Sequence, residues 1–241
     1  MPVLGEIPLD RSIQEPHDSI SLKDNIAGNE ENEEIIYNNP FFLKAFDSLY
    51  ANIRFIFSNQ PLRALTICSA CEGDGKSTIA LHIAQTAADI GQRVLLVDAN
   101  FNEPQIHNML GLTNFQGLSD LLSKKMRPND VIGRSPLADN LFVLTSGQAL
   151  PNSRKILASA QMQYLMENFQ ATFDLVIYDT PHLSGTLDAN FIAAHTDGIL
   201  MVAGINKTKH STLQQAINQL NTFGLKTLGV VANYVKKAPN K

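Results

Sequence analysis

The 241 residues predict an α/β fold of three layers, with a mostly parallel central sheet flanked by helices. Three observations carry that expectation. The apolar segments are short and continuous rather than alternating, as strands buried on both faces must be. Stretches of helical period separate them, which is what crossover connections between parallel strands require. With 44% hydrophobic residues, a chain of this length can bury a substantial core.

Residues 1–39 read as a tail or linker, because Pro2, Pro8, Pro16 and the acidic, Asn-rich GNEENEE at 28–34 sustain no period. The domain is expected over 40–241. It opens after Pro40 on a helix whose apolar stripe is Phe42, Ala45, Phe46, Leu49, Ile53 and Ile56. RALTICSA (63–70) predicts the first buried strand, and KSTIALHIAQTAADIG an amphipathic helix ended by Gly91. RVLLVDA (93–99) predicts the second strand, and IHNMLGL a short helix. LFVLTSG (141–147) predicts the third, followed by one helix over about 154–169. FDLVIYDTP (173–181), DGILMVAG (197–204) and TLGVVANY (227–234) supply the fourth to sixth strands, with a helix at about 211–223 between the last two. Ligands of such sheets bind outside the strands' carboxyl ends.

Several functions are disfavoured. Net charge is −4 and the 19 Lys and Arg are scattered, the nearest basic patch being Lys236-Lys237, so no nucleic-acid partner is expected. No apolar run reaches the length of a membrane span, and MPVLGEIPLDRS lacks the regions of a signal peptide. A soluble, cytoplasmic chain is the expectation. Cys68 and Cys71, in CSAC, have no Cys/His cluster beside them, so they read as small residues at a strand-to-loop junction.

The chemistry concentrates in SACEGDGKST, residues 69–78. Gly73 and Gly75 let the backbone of Cys71, Glu72, Gly73, Asp74 and Gly75 wrap phosphates with inward N–H groups. Lys76 adds a cation for the outer phosphates, Ser77 a hydroxyl for Mg²⁺, and Thr78 continues into a helix whose positive end faces the same anion. The loop lies between an apolar strand and a helix, the context in which this phosphate-binding loop, or P-loop, works. Ala70 replaces the pattern's first glycine, which is tolerable where φ stays negative. Asp98 and Asp179 each end a buried strand, and such carboxylates reach a Mg²⁺ ion beside Ser77 directly or through water. His107 and His182 read as polar packing or loop residues and receive no role.

The series SACEGDGKST, VLLVDANFNEP, GLSDLL, SGQALPNSRKILAS, FDLVIYDTPH and LGVVAN resembles the bacterial tyrosine kinases of capsule and exopolysaccharide systems, over about residues 40–234. PVLGEIP is similar to that family's segment just after the second membrane helix. The resemblance implies a P-loop NTPase fold of Rossmann-like layout, ATP or ADP with Mg²⁺ as cofactors, and transfer of phosphate to tyrosine. It implies a membrane partner as well, either a polysaccharide co-polymerase (a chain-length determinant) or a membrane-spanning part of the same protein, which would hold this domain at the inner face of the membrane. It further implies catalytic roles for Lys76, Asp98 and Asp179, Asp98 steering the phenol proton, and an adenine contact for Asn233, whose amide both donates and accepts.

The departures are specific. The family's Asp-x-Asp-x-Arg is Asp98, Ala99, Asn100, Phe101, Asn102 here, so Asn100 stands at a metal position without a charge. Lys44, Asp47 and Tyr50 replace the Glu and two Arg that form ring contacts between subunits, which bears on any homo-oligomer. DTPP is DTPH, and where the family often carries a tyrosine-rich tail the sequence reads NYVKKAPNK, with its five tyrosines scattered at 37, 50, 164, 178 and 234. A kinase and a nucleotide-holding regulatory module both fit these residues. A partition-type ATPase fits less well, because Cys71 replaces its signature lysine and no amphipathic anchor ends the chain.

Overall fold

The computed structural model describes residues 1–9, 40–123, 125–149, 152–184 and 186–235. Its strands in chain order are β1 (Val3–Pro8), β2 (Ala64–Ser69), β3 (Val94–Asp98), β4 (Gly133–Arg134), β5 (Leu141–Leu144), β6 (Leu175–Asp179), β7 (Gly198–Gly204) and β8 (Thr227–Val235). They form one sheet in the order β1-β8-β7-β2-β6-β3-β5-β4. Every described pairing is parallel except β4 with β5. β2, β3, β6 and β7 are buried at every position, which is why their sequences run apolar without alternation.

Helices cover both faces. On one lie α1 (Pro40–Ile56), α2 (Lys76–Asp89) and α3 (Ile106–Met109), where Phe46, Ile53, Ile79 and Ile83 meet Leu65, Leu96 and Ile177. On the other lie α4 (Leu118–Leu122) and α7 (Ala160–Thr172), with Leu165, Met166 and Phe169 against Leu95, Val97 and Val176. A third cluster packs α8 (Asp188–Ala193) and α9 (His210–Thr222) on β7. The short α5 (Pro128–Val131) and α6 (Ser153–Leu157) complete the set. α2 proves a central helix rather than an amphipathic one: α1 lies over its outer side, and 11 of its 14 residues are buried.

Two further expectations are corrected. Residues 1–39 do not begin as a tail, because β1 adds a parallel strand to the edge of the sheet beside β8 and buries Leu4 and Ile7. The Asn52 amide ties the strand to α1 by donating to the Leu4 carbonyl (2.9 Å). Register shifts on either side of Gly5–Glu6 space the buried residues three apart, so no period of two was present to read. The edge position tolerates Pro2 and Pro8. GNEENEE lies outside the described residues, as does Lys236-Lys237. The single helix over 154–169 is in fact α6 and α7, since the Ser159 hydroxyl accepts from the Met162 N–H (3.3 Å) and starts a new helix.

Candidate functional site

The loop between β2 and α2 sits at the sheet's carboxyl edge. Gly73 (φ 72°) and Gly75 (φ 87°) hold left-handed conformations, whereas Ala70 is not among the residues of positive φ. A Cβ on Gly75 would run into the Asn233 amide. Both glycines are therefore fixed by geometry. Gly75 caps α2, which directs the free N–H groups of its first turn at the loop's concave side. Lys76 and Ser77 are buried, Cys71 and Thr78 are half-buried, and Glu72 is exposed.

Asp98 and Asp179 are register partners at the ends of β3 and β6, and both are fully buried. Their environments differ. The Asp98 carboxylate accepts from the N–H groups of Asn100 (3.1 Å), Gln105 (3.1 Å) and Ile106 (3.2 Å), which folds the segment after β3 around it. Burial, then the Asp179 charge, pushes its pKa up to about 8 against the pull of those three donors. Neither oxygen of Asp179 completes a hydrogen bond. Burial raises its pKa to about 6, while the Lys76 charge and the nearby Ser77 hydroxyl draw it down.

A buried carboxylate left without a partner beside a hydroxyl and an ammonium is what a Mg²⁺–phosphate group would satisfy. Mg²⁺ takes one or two protein ligands, the substrate's phosphates and water, so no larger cluster of acids is needed. Asp179 and Ser77 fit it. Asn100 is committed elsewhere. Its Nδ2 donates to the Glu103 carbonyl (2.8 Å) and its Oδ1 accepts from the Glu103 N–H (3.2 Å), closing the loop rather than addressing a metal. Asn233 is likewise engaged, with Nδ2 donating to the Asp74 carbonyl (2.9 Å) and Oδ1 accepting from the Tyr234 N–H (2.9 Å). Neither of these two bonds uses the second N–H of Nδ2.

Burial raises the Cys68 thiol to about 12, which suits a packing residue. His182 is half-buried. His82, which the sequence did not single out, is the most perturbed histidine among the described residues. Burial beside the rings of Phe42 and Phe46 (5.0 and 4.8 Å) lowers its pKa to about 4. Sequence reasoning also passed over Lys207, Thr208 and Tyr234, which bond to the loop from the ends of β7 and β8. A polar GINKTK at the carboxyl end of an apolar strand was the available signal.

The ParA family profile, described as NUBPL iron-transfer P-loop NTPase, matches residues 62–240. Tyrosine-protein kinase YwqD of Bacillus subtilis (strain 168) is 32% identical over 216 residues, covering 89% of this chain and 91% of that protein. The chain belongs to the bacterial tyrosine-kinase family of P-loop NTPases. Among solved structures, the kinase domain of Escherichia coli tyrosine kinase ETK superposes with a TM-score of 0.86 at 25% identity, covering 100% of this chain and 92% of that one. The chimerical protein CapA2B2 superposes with a TM-score of 0.84 at 27% identity, covering 98% and 95%. Membership accounts for the parallel sheet and for a phosphate loop at its carboxyl edge.

Proposed function

We propose that this chain binds ATP with Mg²⁺ at residues 70–78 and transfers the γ-phosphoryl group to a protein tyrosine, within machinery for capsule or exopolysaccharide synthesis. One observation carries the reading. The unpartnered, buried carboxylate of Asp179 stands with Ser77 and Lys76 at the mouth of a loop shaped for phosphates. Loop amides and the first turn of α2 bind the phosphate oxygens, and Lys76 neutralises charge that builds on the transferred group. Ser77 and Asp179 would hold Mg²⁺, which supplies charge neutralisation and alignment of the phosphates when bound. Asp98 takes up the phenol proton. Burial and the neighbouring Asp179 charge raise its pKa toward neutrality, and the three backbone N–H groups leave one lone pair of Oδ1 for the proton. The remaining amide N–H of Asn233 serves the base. The membrane partner is a polysaccharide co-polymerase or a membrane-spanning part of the same protein. Among the described residues, no helix is long and apolar enough to cross a membrane.

A second reading is a nucleotide-holding regulatory module that transfers phosphate slowly. It is favoured by Asn100, which adds no charge and is bound to Glu103 at both ends. Incubation with labelled ATP, Mg²⁺ and a tyrosine peptide separates the two. Phosphotyrosine formed by the natural chain and absent with Lys76→Ala supports the kinase. Nucleotide binding without phosphotyrosine, with activity regained in Asn100→Asp/Asn102→Arg, selects the module. Absence of nucleotide binding rejects both.

A further inference from the structure

We propose that Asp74 is a positioning residue of the nucleotide site, the centre of a polar lock completed by Thr208, Lys207, Asn233 and Tyr234. The inference rests on the nucleotide-binding reading above and goes beyond it, because the bonds that form the lock act on the loop's backbone and not on the ligand.

Asp74 occupies a variable position of the phosphate-loop pattern, and a free carboxylate there would repel phosphate. In this protein it is fully buried and turned into the protein. Its Oδ2 accepts from the Cys71 N–H (3.0 Å), and its Oδ1 accepts from the Gly204 N–H (3.1 Å) and the Thr208 hydroxyl. The Asp74 carbonyl accepts from Asn233 Nδ2 (2.9 Å). The Gly73 carbonyl accepts from both Lys207 Nζ (2.8 Å) and the Tyr234 hydroxyl (3.1 Å). The segment from the end of β7 to Thr208 and the end of β8 thus grip two consecutive residues of the loop, Gly73 and Asp74.

Planarity of the peptide bond gives this grip its consequence. A carbonyl and the N–H of the next residue point in opposite directions. Drawing the Gly73 carbonyl toward Lys207 and Tyr234 turns the Asp74 N–H to the opposite side, and drawing the Asp74 carbonyl toward Asn233 does the same for the Gly75 N–H. The lock therefore aims two main-chain donors at the phosphate cradle before any ligand arrives, and preorganised donors of this kind raise affinity. Backbone strain points to the same place. Tyr234 holds φ 64°, an outlier for a bulky side chain, while its N–H binds Asn233 and its hydroxyl binds Gly73. Such a conformation persists where surrounding contacts over-determine it.

Asp74→Asn is nearly isosteric and tests the lock directly. An amide has one acceptor end, so its NH2 must face either the Cys71 N–H or the Gly204 N–H, donor against donor. Titration calorimetry with ADP and Mg²⁺ should show affinity about ten- to a hundred-fold weaker than the natural chain, the size expected when a charge-assisted bond to backbone is lost. Thr208→Val and Lys207→Met should each weaken it several-fold, and Thr208→Ser should recover most of what Thr208→Val loses. Recovery by a hydroxyl of different shape separates positioning from packing. The melting temperature without nucleotide is measured beside each variant, and if Asp74→Asn does not fold, the Thr208 pair decides. Unchanged ADP affinity in Asp74→Asn, or equal losses in Thr208→Val and Thr208→Ser, overturns the proposal. Failure of the natural chain to bind ADP overturns the nucleotide reading instead.

Discussion

The two acidic residues at the ends of β3 and β6 look equivalent in sequence and differ in what surrounds them. Asp98 is wrapped by three backbone donors, whereas Asp179 has none. The Asp179 pKa is raised from 3.8 to about 6, so the folded state holds that proton more tightly than the unfolded chain does. Its contribution to stability is fully present below about pH 4 and is lost as pH rises through about 6. Asp179→Asn removes the buried charge. Thermal melts without nucleotide should show the variant more stable at pH 7 by about 1–3 kcal/mol and close to the natural chain at pH 4. The same variant should lose Mg²⁺-dependent nucleotide affinity by at least about ten-fold, since one of two protein ligands is gone. A variant destabilised at pH 7 would show that Asp179 is paired in solution. Residue-level reasoning found these two aspartates because strand ends are visible as apolar runs that stop at an acid. It did not see that Asn100 and Asn233 are occupied, because their partners are the Glu103 backbone and the Asp74 carbonyl, which no side-chain pattern reports.

Among the elements, β1 is an edge strand held by one neighbouring strand and by α1. Ile7 is fully buried, and Ile7→Ala should cost about 2–5 kcal/mol in urea denaturation. Gly229 supplies a subtler probe. A Cβ there would meet the Leu4 side chain and the Pro2 carbonyl, whose oxygen accepts from the Val230 N–H (2.9 Å). Gly229→Ala should therefore speed amide exchange over residues 3–9 while leaving exchange in β2 and β3 unchanged. Unaltered exchange at 3–9 would mean that β1 does not dock as described. The central strands and α2 were legible because their apolar runs and the glycine loop are local signals. β1, β4, α4, α5 and α8 were not, since each is short and owes its structure to neighbours rather than to its own period. The break between α6 and α7 turned on one hydroxyl, that of Ser159.

For the whole molecule, the acceptor of phosphate is constrained by burial. Tyr50 and Tyr178 are buried, and Tyr50 donates its hydroxyl to Gln92. Tyr234 is half-buried and tied to the loop. Tyr164 is 59% exposed on the rim of a groove of about 820 Å³ whose lining includes Arg93 and Arg127. Mass spectrometry after incubation with ATP should place any self-phosphorylation at Tyr164 or at Tyr37, which lies outside the described residues. Stoichiometric phosphate on Tyr178 would require the core to open and would contradict the fold. Burial also decides how the halves of the site meet: β2, β6 and β7 are adjacent, so the loop, Asp179 and the Gly204–Thr208 turn share one edge.

The central claim is that residues 70–78 bind a nucleotide's phosphates. A crystal structure with Mg²⁺ and a non-hydrolysable ATP analogue tests it most directly. The predicted result is a triphosphate against the amides of Asp74 and Gly75 and the Lys76 ammonium, with the metal between Ser77 and Asp179. Nucleotide bound elsewhere on the protein, or a loop that stays closed and empty at saturating analogue, would contradict it.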